Sequence, residues 1–241
     1  MRGTRVEIAE RDLKIFELIK RMGWVRQDDI AYYLGLDYRD KKVNQIMRNI
    51  GFRLQKHGYI IKKRFLVGYP SYWCFTKLGA GFYNGIAEPR FVLQNMKHDG
   101  FVSRLLIQIL QKNTLDVKTE FELKHEIVFD KKNNKKKKIK IPDLLVGNTA
   151  IEVELTQKNL TRIYDIIREY EYGEYDKVTY YTTHAIANIM SNITKTNDKF
   201  QYKIINENDI INSIEFVNPK YPIKEKILNE KQKLREMLGL T

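Results

Sequence analysis

The chain has 241 residues, 43% of them hydrophobic, and a net charge of +13 from 43 Lys and Arg against 30 Asp and Glu. That length holds one large domain or two ordinary ones, and the hydrophobic content excludes general disorder. No apolar run approaches the roughly 20 residues that cross a bilayer, and Met1 to Glu10 carry charges where a signal peptide would be apolar, so the expected location is the cytoplasm, without membrane contact. The lone cysteine, Cys74, allows no internal disulfide and reads as a packed thiol between Trp73 and Phe75. A surplus of positive charge favours polyanions, nucleic acid first and acidic membrane second. A Lys-rich composition can also be basic without any partner, so the placement of the charge has to decide.

Residues 10–22 show a helical apolar period in Leu13, Ile15, Phe16, Leu18 and Ile19, closed by Gly23. A short second helix starts at Gln27 or Asp28, runs through Ile30, Ala31 and Leu34, and ends at Gly35. Asp37 precedes a longer helix with a core stripe of Val43, Ile46, Ile50 and Leu54, which leaves Lys41, Gln45, Arg48 and Lys56 on the opposite face. After Gly58 the pattern changes to strands, Tyr59 to Val67 and Ser71 to Phe75, around a Gly68-Tyr69-Pro70 turn, and the first strand contains Lys62, Lys63 and Arg64. Thr76 to Gly79 opens a last small helix. Three helices followed by a basic hairpin is the winged helix-turn-helix order, in which the third helix fits the major groove and the hairpin reaches phosphates. On this reading residues 1–88 form a DNA-binding domain. Lys41, Asn44, Gln45 and Arg48 are the candidate base-reading residues, and Lys62, Lys63 and Arg64 are the backbone contacts. Phe52 lies off the core stripe and has no role in this scheme.

Residues 89–241 form the second expected domain. After a connector with Pro89, residues 98–111 read as a helix that buries Phe101, Val102, Leu105, Leu106, Ile109 and Leu110. Residues 119–129 alternate in strand fashion. The lysine-rich run from Lys131 to Lys138 is expected as a hairpin tip, either following a phosphate backbone or merely solubilising. Two short apolar runs, 141–146 and 150–155, flank a Gly147-Asn148 turn and predict a β-hairpin. Glu152 and Glu154 are two apart on one strand and share a face, about 7 Å between Cα atoms, while Asp143 begins the neighbouring strand. Carboxylates held on an apolar strand are costly to desolvate unless a cation or hydrogen bonds compensate, and the hard oxygens of Asp143, Glu152 and Glu154 are expected to converge on one Mg²⁺ or Mn²⁺. Such a cation activates water and stabilises a phosphoryl transition state. A helix over 159–171, a strand over 177–181, a helix over 184–193 and a strand over 201–205 complete the β-α-β order of a covered sheet. Tyr164, Tyr170, Tyr172 and Tyr175 are not singled out as nucleophiles among fifteen tyrosines. A charged helix over 222–238 is a candidate docking element for a second copy, a partner protein or the DNA backbone.

Asp143 after Pro142, followed by Glu152-Val153-Glu154, resembles the PD-(D/E)XK nuclease motif. Together with the N-terminal three-helix and hairpin pattern and His98-Asp99, residues 8–185 resemble the replication-relaxation proteins, a group that includes the MOBC class of conjugative relaxases. The resemblance implies a restriction-endonuclease-like core, a mixed sheet flanked by helices, giving an α+β or α/β chain overall. It implies Asp143 and Glu152 as first and second metal ligands, with Glu154 where the motif usually has Lys. Lys158 is then the candidate replacement cation, and Glu120, Glu122 or Glu126 a further carboxylate.

Two functions fit this sequence. One is a metal-dependent DNA-nicking protein of a plasmid or other mobile element, acting on an origin site in double-stranded DNA through Asp143, Glu152, Glu154 and Lys158. The alternative is a non-catalytic accessory or regulatory protein for plasmid replication or transfer, with an inert nuclease-like domain.

Overall fold

The computed structural model describes residues 8–65, 69–112, 116–130, 140–195 and 197–205. Over these residues the chain is a mixed α+β protein with eight α-helices, one three-stranded sheet and one five-stranded sheet. The run from Lys131 to Lys138, the turn residue Gly68 and the helix expected at 222–238 lie outside the described residues.

The N-terminal half runs α1 (Glu10–Met22), β1 (Val25–Arg26), α2 (Gln27–Tyr33), α3 (Lys41–Lys56), β2 (Ile60–Lys63), β3 (Tyr72–Phe75) and α4 (Lys77–Tyr83). Local chemistry sets most of these boundaries. Gly23 ends α1 at φ 75°, where a side chain would be strained. Asp40 caps α3 by accepting the Lys42 N–H at 2.8 Å, and Thr76 caps α4 by accepting the Gly79 N–H at 3.1 Å. Strand β3 pairs antiparallel with both β1 and β2, giving the order β1-β3-β2. The two-residue β1 leaves no periodicity in the sequence and exists because Val25 and Arg26 lie opposite Trp73 and Tyr72.

The buried face of α3 departs from the expected stripe. It consists of Met47, Ile50, Gly51 and Leu54, whereas Ile46 is 44% exposed and Val43 half-buried. Close packing turns the helix: a Cβ on Gly51 would stand 2.6 Å from Trp73 Cζ2, so the helix lies directly against the Trp73 indole.

The C-terminal half runs α5 (Met96–Gln111), β4 (Val117–Thr119), α6 (Glu120–Asp130), β5 (Leu144–Val146), β6 (Thr149–Glu154), α7 (Leu160–Glu171), β7 (Lys177–Thr182), α8 (His184–Thr194) and β8 (Phe200–Ile204). The sheet order is β4-β5-β6-β7-β8, antiparallel across the first two pairings and parallel across the last two. Helices α7 and α8 make the crossovers that parallel neighbours require.

Residues 120–129 are helical, which corrects the strand expected there. Thr119 and Glu122 form a reciprocal cap: the Glu122 N–H donates to Thr119 Oγ1 at 3.1 Å, and the Thr119 N–H donates to Glu122 Oε2 at 2.9 Å. This Thr-x-x-Glu box starts α6, and the Lys124–Glu120 pair supports its first turn.

The two halves pack into one another. A single buried cluster joins Phe16, Ile30, Leu54 and Phe75 to Val102, Leu106, Leu144, Ile151 and Val153. Polar contacts reinforce it, because Arg26 and Arg104 both engage the buried carboxylates of Asp28 and Asp29, at 3.1 Å for Arg26–Asp28 and 3.0 Å for Arg104–Asp28. Strand β6 has two unlike faces: Ile151 and Val153 enter this cluster, while Ala150 enters a second one with Ile163, Ile167, Tyr170 and Val178.

Candidate functional site

Asp143 and Glu152 form the centre of the site. Leu144 pairs with Ile151, so the same antiparallel register places Asp143 opposite Glu152 at the open end of the β5–β6 hairpin. Both are 8% exposed. Asp143 Oδ2 accepts the Val153 backbone N–H at 2.7 Å and lies 3.1 Å from His98 Nε2. His98 lies in the first turn of α5, and its Nδ1 is 3.1 Å from Asp99 Oδ1, so the imidazole bridges two carboxylates. Burial works against a charged imidazole here, but the hydrogen bonds to Asp143 and Asp99 outweigh it and raise the His98 pKa to about 10.

Glu152 receives the Tyr170 hydroxyl, and Lys140 Nζ stands 3.2 Å from the same oxygen, Oε1. The Lys140 ammonium also lies 5.8 Å from the centre of the Tyr170 ring. Burial, followed by the charge of Asp143, pushes the Glu152 carboxyl up to about 7, although Lys140 and Tyr170 both pull it down. A second hard donor stands nearby in Asp143, and the buried Glu152 is destabilised as an anion. Carboxylate oxygens are the hard donors that a divalent cation takes, but Asp143 Oδ2 and Glu152 Oε1 already have partners within the chain.

Glu154 shares the face of Glu152, but its carboxylate is engaged by Lys158 and, at 3.5 Å, by the Thr156 hydroxyl. Among the described residues, no three His, Cys, Asp or Glu side chains assemble into a metal-holding group. Of the three upstream glutamates, Glu120 lines the same cavity as Asp143, Glu122 is used in the α6 cap, and Glu126 pairs with Lys118 at 2.8 Å. That cavity, of about 250 Å³, lies between the halves and is bounded by Trp24, Tyr72, Phe91, His98 and Asp143.

Nothing in the sequence singles out Lys140 or Tyr170 for this site. Tyr170 is legible as a core position from its spacing with Ile163, Ile166 and Ile167 on α7. A buried tyrosine hydroxyl needs a partner, but the spacing does not name Glu152. Lys140 carries no signal beyond its nearness to Asp143.

A second set of residues surrounds α3 and the hairpin. Lys41, Gln45 and Arg48 are exposed, whereas Asn44 is half-buried. Gln45 Nε2 donates to Asn49 Oδ1 at 2.9 Å, one turn along the helix. Lys62 lies over the Trp73 ring at 5.6 Å, Lys63 lies over the Trp24 ring at 5.6 Å, and Lys63 and Arg64 are exposed. Burial lowers the Lys62 pKa, and the neighbouring Arg48 and Arg64 charges lower it further. Helix α3 and the hairpin therefore crowd three cations together, and none of the three has a carboxylate partner among the described residues. Cys74 is buried, and burial pushes its thiol up to about 12, which leaves it a packing residue. No helix among the described residues is long and apolar enough to cross a membrane.

In comparisons with known proteins, no family model matches the chain, and neither a curated protein nor a solved structure matches it significantly.

Proposed function

We propose that this chain is a DNA-binding protein that nicks duplex DNA with a divalent metal, of the relaxase type found on plasmids and other mobile elements. In this reading the first half is a winged helix-turn-helix and the second a restriction-endonuclease-like core. The observation that carries it is the pairing of buried Asp143 and Glu152 across the β5–β6 hairpin, with Asp143 lining a cavity whose other wall comes from Met22, Trp24 and Tyr72 of the first half. The order β4-β5-β6-β7, with a parallel last pair and helices α5 and α7 on either side in sequence, supports the nuclease-like reading. The crowded cations Arg48, Lys62 and Arg64 support DNA as the partner, because a phosphate relieves their mutual repulsion.

Asp143 and Glu152 would hold Mg²⁺ or Mn²⁺, and the bound metal would supply a Lewis acid and an activated water. The remaining work belongs to the chain itself. His98 and the Val153 N–H fix the orientation of the Asp143 carboxylate. Lys140 and Tyr170 fix one oxygen of Glu152 and offset its charge. The pairing of Lys158 with Glu154 favours a second reading, an inert core serving DNA binding alone, because the expected replacement cation is then committed to its own neighbour.

Supercoiled plasmid with Mg²⁺ or Mn²⁺ separates the two readings. Nicking should convert supercoiled DNA to open circles, and Asp143→Ala or Glu152→Ala should abolish it while duplex binding persists. Duplex binding by the wild-type chain without nicking in either metal would establish the inert module.

A further inference from the structure

Phe52, the one aromatic residue of α3, is 67% exposed although it sits on a polar face. Lys41, Gln45, Arg48 and Phe52 follow one another at steps of four, three and four residues, which at 100° per residue puts them on a single stripe of the helix. Met47, Ile50, Gly51 and Leu54 occupy the opposite side, against the core. Phe52 therefore lies away from the face by which α3 packs on the core. Its ring stands in water between an arginine one turn before it and a lysine, Lys56, one turn after it.

We propose that Phe52 reads thymine, through the 5-methyl group, in the major groove of the DNA that α3 binds. The inference rests on the DNA-binding reading above and adds a specificity-determining residue to it. A helix seated in the groove buries its outer stripe against base edges, where Lys41 and Arg48 meet phosphates or guanine and Gln45 can pair with adenine. A phenylalanine on that stripe has no atom with which to exchange hydrogen bonds. Among major-groove base edges the thymine methyl is the apolar feature that an aromatic ring can cover. The flanking positive charges suit DNA and oppose the docking of a basic second copy of this chain on the same stripe.

The test uses the full chain and a pool of random-sequence duplexes, taken through parallel selections with the wild type and Phe52→Ala. The exposure of Phe52 predicts equal melting temperatures for the two proteins. The wild-type pool should contain a fixed thymine that the variant pool lacks. Replacing that thymine by deoxyuridine, which removes one methyl, should weaken wild-type binding about fourfold and leave Phe52→Ala unchanged. Identical selected sequences for both proteins would overturn the thymine contact while leaving DNA binding by α3 intact. A uniform loss of affinity for all sequences in Phe52→Ala would also overturn it. Failure of the wild-type chain to retain any duplex at low salt would overturn the DNA-binding reading and this inference with it.

Discussion

Replacing Glu152 by Gln should stabilise the metal-free protein near neutral pH while destroying its proposed activity. The carboxyl is 8% exposed and holds its proton up to about pH 7, against an ordinary value of 4.5. Because the folded state keeps a proton that the unfolded state releases, stability falls as pH rises from 4.5 through about 7 and levels off above that. At about 1.4 kcal/mol per pH unit, ionising this group costs on the order of 3 kcal/mol at pH 8 and about 1 kcal/mol at pH 5. Glutamine carries no such cost and still accepts the Tyr170 hydroxyl through Oε1. The missing ion pair with Lys140 offsets little of the gain, since that side chain is 24% exposed and water can solvate its ammonium. For a chain of this size, about 3 kcal/mol corresponds to roughly 6–12 °C in melting temperature. Thermal melts of both proteins in chelator should therefore show Glu152→Gln well above wild type at pH 8 and close to it at pH 5. Adding Mg²⁺ should then raise the wild type more than the variant, by about 2.7 kcal/mol at a metal concentration 100-fold above the dissociation constant. A variant that melts below wild type at pH 8, or a difference independent of pH, would refute the claim that Glu152 is buried at an electrostatic cost.

Two further predictions concern the framework of the site. Arg104→Ala leaves Asp28 and Asp29 with Arg26 as the remaining guanidinium of their network, so a loss of about 3–5 kcal/mol is expected. Chemical denaturation should read this loss, and an unchanged midpoint would show that the network contributes nothing to joining the halves. Replacing Lys62, Lys63 and Arg64 together by Ala should weaken binding to all duplexes alike. It should also reduce the log–log salt slope by about 0.9 for each phosphate that the hairpin no longer neutralises; a slope equal to that of wild type would remove the hairpin from the interface.

Much of the framework is legible in the chain because its causes are local. Gly23 and the Gly147-Asn148 turn mark boundaries through their own backbone preferences and those of their immediate neighbours, whereas the start of α3 is set by Asp40, three residues beyond the Asp37 expected to precede it. The period of two along β6 puts Glu152 and Glu154 on one face, with Asp143 nearby. The Thr119-x-x-Glu122 box is equally local, but the alternating apolar residues around it point to a strand, and the cap proves the stronger determinant.

Contacts between distant segments decide the rest. The face that α3 buries depends on Trp73, which meets Gly51 only after β3 has folded back along β2. Arg104 reaches Asp28 across 76 residues, and His98 reaches Asp143 across 45. Three carboxylates spaced for one cation become a paired Asp143 and Glu152, with Glu154 drawn to Lys158 instead. Periodicity tells a residue which way to face because neighbouring backbone dihedrals impose it. The partner that neutralises a charge is set by whatever packing brings within a few ångströms, and the sequence alone does not contain that distance.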